Sequence, residues 1–131
     1  MSDPQKLPDR IPTLRLSAMP ADTNQYGDIF GGWLIGQMDL AAGSIASRHS
    51  RGRAVTAAVD AVSLDRPVHV GDEVTIYADL VHVGRSSMKI DVEAWRRPYN
   101  GDEAERVTRA EFTFVAIDKH RRPREIVRKD D

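Results

Sequence analysis

Residues 33–50 have the spacing of an α-helix and are apolar on nearly every side of it. The apolar residues in this stretch are Trp33, Leu34, Ile35, Met38, Leu40, Ala41, Ala42, Ile45 and Ala46. Small residues such as Gly36 and Gly43 keep the helix slim, and Gly52 is the stop signal that follows it. A helix that is apolar on most sides is buried and does not lie on a surface. The rest of the chain must therefore surround it.

The remainder of the sequence predicts β-strands, because apolar and polar residues alternate in it with a period of two. The predicted strands are residues 13–19, 55–64, 72–83, 87–97 and 106–117. Gly84 joins the third strand to the fourth, and Asn100-Gly101 has the chemistry of a hairpin turn. Consecutive strands with a single helix favour the α+β class, in which an antiparallel sheet carries the helix on one face.

One helix covers only part of a sheet of about five strands. A strongly curved sheet can wrap around the helix and bury more of it. The open edge that remains favours pairing with another copy of the chain, since unpaired edge strands associate readily. We therefore expect a homodimer.

The length of 131 residues predicts one domain, which we place at residues 13–126 between a loose lead-in (1–12) and a polar tail (127–131). Such a chain buries enough surface to fold without disulfides or a structural metal. Cysteine is absent, which excludes thiol nucleophiles and zinc-thiolate sites and fits a cytoplasmic location. No secretory signal or membrane-spanning run is recognisable, so we expect no membrane partner.

The formal net charge of −1 predicts no affinity for nucleic acid. Basic residues nevertheless cluster near the C-terminus, at Lys119, Arg121, Arg122, Arg124, Arg128 and Lys129. They form either a solvated tail or an edge that faces the phosphates of a ligand. The sequence leaves both interpretations open.

A single acid, Asp39, lies in the middle of the apolar helix. Its neighbours three and four residues away are Ile35, Gly36, Ala42 and Gly43, so the helix offers it no cation. Asp is also a poor residue for a helix interior. A carboxylate in such surroundings is a candidate base or nucleophile. The alternative is that Asp39 lies on a narrow solvated stripe, and the residue pattern alone does not choose between them.

The segment before the helix, residues 22–32, is rich in Asp, Asn and Gly and leads directly into the helix N-terminus. Bare N–H groups and the positive end of the helix dipole can stabilise a developing oxyanion there. Gly31 and Gly32 have no side chains, so a ligand carbonyl can approach the backbone closely. The alternative is that Asp28 and the glycines only cap the helix, although capping does not account for Asn24 in the same stretch.

Several spaced motifs resemble those of the bacterial YciA-type acyl-CoA thioesterases, which are related to the cytosolic acyl-CoA hydrolases of animals. The matching segments are residues 18–24, 27–33, 37–39, 66–68, 70–72, 83–87 and 112–116. The likeness therefore extends over residues 14–126, which is nearly the whole chain. It implies a hotdog fold, in which a curved antiparallel sheet wraps around one long central helix. It also implies a homodimer with two active sites at its interface, commonly assembled into a hexamer as a trimer of dimers.

The resemblance also implies roles for individual residues. Asp39 takes the place of the catalytic carboxylate, and Asn24 matches a loop asparagine that works with it from across the dimer interface. Gly31 and Gly32 match the oxyanion-hole region, and Asp28 lies in the segment that contacts substrate. The implied function is hydrolysis of acyl-CoA to free CoA and a carboxylic acid.

A second motif resembles a turn that binds coenzyme A. It consists of Gly84, Arg85, Ser86 and Ser87. Arg85 is the candidate for a phosphate contact. We expect no metal and no cofactor, since coenzyme A is part of the substrate.

Other chemistries lack their sequence signals. The four histidines are scattered without metal-ligand spacing, and there is no Gly-x-Ser-x-Gly elbow. A carboxylate mechanism remains, with Asp39 as general base or as nucleophile. Two alternatives stay open: a non-catalytic protein that binds acyl-CoA, and a hotdog dehydratase. The dehydratase usually pairs a histidine with an acid, and no histidine lies between Asp22 and Asp39.

Overall fold

The computed structural model describes residues 6–126, and within them one long helix is surrounded by strands. The elements are β1 (Leu14–Ser17), a short 3-10 helix (Pro20–Asp22), α1 (Gly31–Ser50), β2 (Ala54–Asp60), β3 (Glu73–Val83), β4 (Ser87–Arg97) and β5 (Glu105–Ala116). The strands form a single antiparallel sheet in the order β1-β3-β4-β5-β2. Helix α1 packs against β2, β3, β4 and β5. The predicted α+β class and hotdog arrangement are confirmed.

The core lies between one side of α1 and the concave face of the sheet. The helix contributes Leu34, Met38, Ala42 and Ala46, which recur every four residues and are buried. The central strands oppose them with Val74, Ile76, Ile90, Val92, Phe112 and Phe114. Burial of these apolar side chains is the main stabilising contribution to the fold.

The prediction that the helix is buried on most sides is wrong for the side of α1 that faces away from the sheet. In one protomer Leu40 is 64% exposed, and Gly32, Gly36 and Ser44 are exposed as well. The sheet curves around only part of the helix, so its own strands cannot cover this side. An exposed apolar helix face is a surface on which another molecule can pack.

The sheet ends at two edge strands, β1 and β2, and β2 runs beside the exposed side of α1. The predicted strand 55–64 is wrong beyond Asp60, because the chain leaves the sheet at Ala61, whose φ of +57° is left-handed. The apolar alternation continues past that point because Val62 and Leu64 still pack against the molecule. One edge of β2 has no partner strand among residues 6–126.

The described part of the predicted loose lead-in is docked on the outer face of the sheet. Leu7 packs against Tyr77 and Trp95. The Tyr77 hydroxyl donates to the Pro8 carbonyl at 3.3 Å. Arg10 lies over the Tyr77 ring, 4.7 Å from its centroid, and also pairs with an acid of β3. This segment is therefore held in place, while residues 1–5 lie outside the described part of the chain.

One residue of the basic C-terminal cluster, Arg124, has a structural role. The Arg124 guanidinium donates to the Ser50 carbonyl at 3.0 Å and to the Ile117 carbonyl at 2.9 Å. It therefore satisfies a carbonyl at the C-terminal end of α1, where cations are favoured. Lys119, Arg121 and Arg122 are exposed. The remaining predicted members, Arg128 and Lys129, and the predicted tail 127–131 lie outside the described residues.

In the part of the chain that the structure describes, no helix has both the length and the apolar character of a membrane-spanning segment.

Candidate active site

Asp39 lies on the side of α1 that faces the edge strand β2. The Thr56 hydroxyl of β2 donates a hydrogen bond to Asp39 Oδ1. Within residues 6–126 no ion pair forms at Asp39, and its Oδ2 accepts no hydrogen bond from the chain. The carboxylate is partly buried and fixed at one oxygen, so the other oxygen is available to a ligand.

An open groove of about 460 Å³ surrounds Asp39 between the helix and β2. It is lined by Asp39, Leu40, Gly43, Ser44, Ser47, Ala54, Val55, Thr56 and Phe114. The small residues of the following helical turns make room for the groove. This volume falls in the range of about 300–1,000 Å³ that is typical of ligand pockets.

The start of α1 has backbone N–H groups that no side chain caps. Phe30 is the N-cap residue and provides no side-chain hydrogen bond, and the first turn contains no acid. The first helical bonds run from Trp33 and Leu34 to the Phe30 carbonyl, which leaves the N–H groups of Gly31 and Gly32 for another acceptor. Apart from its two chain neighbours, no side chain of the described residues lies within 4 Å of the position that a Cβ on Gly32 would occupy, so a ligand has room there.

Asp28 does not cap the helix, contrary to the alternative considered from the sequence. Its side chain is exposed, and its backbone N–H donates to Asn24 Oδ1 at 3.1 Å. Asn24 Oδ1 also accepts from the Tyr26 N–H at 2.9 Å. The Asn24 side chain therefore shapes the loop that precedes α1 through its carbonyl oxygen, and its amide group remains able to donate elsewhere.

The predicted catalytic groups do not converge within one protomer. Gly32 and Asp39 lie on the same helix about two turns apart, which is about 10 Å along its axis. Among the described residues, no hydrogen bond joins Asn24 to Asp39. One thioester carbonyl cannot contact both the helix start and the carboxylate of the same chain.

The predicted coenzyme A-binding turn lies two strands away from β2, the edge strand of the groove, in the sheet. The Gly84 N–H donates to the Ser87 carbonyl at 2.8 Å, and Ser87 pairs with Val115 of β5, which in turn pairs with groove residue Val55. The side chain of Arg85 is 84% exposed and lies 3.5 Å from a carboxylate oxygen of Glu125. It is therefore accessible to a ligand at this end of the sheet.

The backbone of this turn also holds the C-terminal segment in place. The carbonyls of Ser86 and Arg85 accept the N–H groups of Ala116 and Ile126, each at 2.8 Å. These bonds fix the turn in position.

Two residues near the site were missed from the sequence. Thr56 lies in a strand whose alternating sequence predicts only which side chains share a face. Its contact with Asp39 joins residues from two different elements. Leu64 was included in a strand, but it packs over Gly31 at the helix start. Neither contact has a local sequence signal, because both depend on how β2 and the following loop lie against α1.

Comparison with known proteins shows the family of this chain. Residues 26–99 match the family model described as the thioesterase superfamily. An uncharacterised acyl-CoA thioester hydrolase of Zymomonas mobilis is 54% identical over 86% of this chain and 75% of its own length. The acyl-CoA thioester hydrolase YciA of Escherichia coli is 41% identical over 95% of this chain and 96% of its own.

A solved structure supports the same relationship. The hexameric thioesterase y2039 of Yersinia pestis superposes with a TM-score of 0.86 and 45% identity, and the match covers 92% of this chain and 98% of that one. Sequence and fold thus agree over almost the full length. The chain belongs to the thioesterase superfamily, among the YciA-type acyl-CoA thioester hydrolases.

Proposed function

We propose that this chain hydrolyses acyl-CoA thioesters and that Asp39 is the carboxylate that drives the reaction. The observation that carries the proposal is the setting of Asp39, which has one oxygen fixed by Thr56 and the other open to a ligand-sized groove. Relatives named acyl-CoA thioester hydrolases support the choice of substrate.

Two routes are compatible with this carboxylate. As a general base, Asp39 takes a proton from water, whose oxygen bonds to the thioester carbon. As a nucleophile, Asp39 itself bonds to that carbon to form an anhydride, which water then hydrolyses. In both routes the C–S bond breaks and coenzyme A leaves as a thiolate that is then protonated. Neither route needs a metal or a further cofactor.

We infer that each active site is built from two protomers. Asp39 and the N–H group of Gly32 are too far apart in one chain, and Asp39 lies beside the free edge of β2 and the exposed side of α1. Two copies related by a two-fold axis can pair along these surfaces, so that the Asp39 of one faces the helix start of the other. Asn24 lies in the loop that leads to that helix start, so its amide comes from the same protomer as Gly32.

In this arrangement, the N–H group of Gly32 donates to the oxyanion that develops on the thioester carbonyl, an interaction that contributes about 10²–10³-fold in rate. Arg85 binds phosphate groups of coenzyme A, because its guanidinium is exposed and can pair with them. By analogy with the hexameric relative from Yersinia pestis, we propose that these dimers assemble further as a trimer of dimers.

A hydrolysis assay tests the function directly. Purified protein is incubated with acyl-CoAs of different chain lengths, and release of free thiol is followed with a chromogenic reagent. We expect turnover well above the uncatalysed rate. Tight binding without thiol release would instead support an acyl-CoA-binding protein. No histidine lies between Asp22 and Asp39, the segment that the other protomer would place at the site, which argues against the dehydratase.

A subunit-mixing experiment tests the shared site. Asp39→Asn and Asn24→Ala chains, each inactive or weak alone, are co-expressed with different tags and purified through both tags. One of the two sites in each mixed dimer then has both native residues, so a doubly tagged dimer regains about half of the wild-type activity. In a hexamer of randomly assorted chains only half of the dimers are mixed, which gives about a quarter. No restoration in the doubly tagged protein would contradict the shared site, because a site within one chain cannot be complemented.

A pair of Thr56 variants tests whether Thr56 positions Asp39. Thr56→Val keeps the shape of the side chain but removes the hydroxyl, and a hydrogen bond to a charged group stabilises by about 1.5–3 kcal/mol. We expect kcat to fall about tenfold or more with little change in KM. Thr56→Ser keeps the hydroxyl and serves as the control, with most of the activity retained. Equal activity in the two variants would rule out this role.

A further inference from the structure

A second cavity lies at the start of α1, separate from the groove at Asp39. Its volume is about 320 Å³. It is lined by Ile29, Phe30, Gly31, Leu34, Leu64, Asp65, Arg66, Pro67, Val68 and Val107. Most of these side chains are apolar, and the cavity shares Gly31 with the helix start. A cavity of this size and lining suits a small apolar group.

Leu64 forms the wall of this cavity nearest to the helix start. Its Cδ1 lies only 2.6 Å from the position that a Cβ on Gly31 would occupy, so the leucine packs directly on the glycine backbone. Even so, the leucine is 44% exposed. A large apolar side chain that stays half exposed beside a cavity can contact a ligand that enters the cavity.

The loop that carries Leu64 is anchored on the side away from the helix. The Asp65 N–H donates to the Val107 carbonyl at 3.0 Å. The Arg66 guanidinium pairs with Glu105 at 2.5 Å, which ties the loop to β5. These bonds hold the loop that carries Leu64, so the position of Leu64 beside the helix start is fixed by the fold.

We propose that this cavity receives the acyl chain of the thioester and that Leu64 limits the chain length that the enzyme accepts. This inference rests on the proposed function. A carbonyl held by the N–H group of Gly32 places the first carbons of the acyl chain next to Gly31, and the cavity is the adjoining apolar space. The groove at Asp39 is lined partly by Ser44, Ser47 and Thr56, whose hydroxyls can form hydrogen bonds with the amide-containing arm of coenzyme A.

The test compares Leu64→Trp with Leu64→Ala on acetyl-, butyryl-, octanoyl- and palmitoyl-CoA. A small change in the size of a hydrophobic pocket alters kcat/KM by about 10–200-fold. Leu64→Trp should therefore lower the ratio of octanoyl to acetyl turnover by about tenfold or more, and Leu64→Ala should raise the relative rate for longer chains. Val81→Trp is the matched control, because Val81 is 55% exposed and lines neither cavity, and its ratio should match the wild type.

A binding measurement separates this inference from the proposed function. In the Asp39→Asn background, the affinity for octanoyl-CoA relative to free coenzyme A should fall with Leu64→Trp, whether or not the wild type hydrolyses the ester. If the wild type releases no thiol, the proposed function is overturned, but the role of Leu64 in binding the acyl chain is not. Unchanged chain-length ratios and unchanged relative affinities in both Leu64 variants would overturn the role of Leu64, as would an equal loss for every chain length.

Discussion

Asp39→Asn is expected to abolish thioester hydrolysis, with a loss of at least about 10²–10⁴-fold in kcat, the usual contribution of a general base. The amide has nearly the same shape and its oxygen can still accept the hydrogen bond from Thr56. It can neither take a proton from water nor attack the thioester. The measurement is release of free thiol from acyl-CoA at saturating substrate.

Asp60→Asn is the matched control for this loss. Asp60 is an exposed acid at the end of β2, outside the groove, and its variant should retain wild-type turnover. The Asp39→Asn protein should also keep its secondary structure and its assembly size, because a partly buried acid without an ion pair contributes little to the fold. Near-normal turnover in Asp39→Asn would remove Asp39 from the mechanism.

Arg96→Leu is expected to destabilise the fold by about 3–5 kcal/mol, the cost of leaving a buried charge without its partner. Arg96 donates to both oxygens of Asp72, at 2.6 and 3.2 Å, and also to Glu105. Asp72 is only 3% exposed and keeps just the His69 N–H when the arginine is removed. The midpoint of urea unfolding, at fixed protein concentration, measures the loss.

Arg109→Leu is the control for this effect. Arg109 also pairs through two hydrogen bonds, with Asp91, but the arginine side chain is 59% exposed. An exposed ion pair contributes little to stability, so the shift in midpoint should be small. Equal shifts for the two variants would mean that burial of the Asp72–Arg96 pair does not matter.

The same network predicts how stability depends on pH. Burial alone would raise the pKa of Glu105, but hydrogen bonds from Arg96 and Arg66 outweigh it and hold the pKa below its ordinary value of 4.5. A carboxyl with a lowered pKa stabilises the fold above that value, and this contribution is lost as the pH falls through the lowered pKa. On acidification below pH 4.5, the free energy of unfolding of the Arg96→Leu variant should therefore fall by less than that of the wild type.

Much of the architecture follows from local pattern. The alternation in the last three strands predicts their bounds to within a residue or so, because one face of each is buried and the period of two reports that face. The helix was recognised from the helical spacing of its apolar residues, although it begins two residues earlier than predicted, at Gly31. The strand beginning at Val55 was extended too far because apolar spacing continues into the loop that carries Leu64.

The sequence by itself determined the α+β class, the single long helix and the acid in the middle of it. Only the tertiary structure decided that β2 is a free edge beside Asp39, that Thr56 holds its carboxylate and that Leu64 closes over Gly31. The physical reason is that periodicity records which side of each element is buried, and this is local information. Which elements become neighbours depends on packing the whole chain, so contacts between distant residues have no local signature.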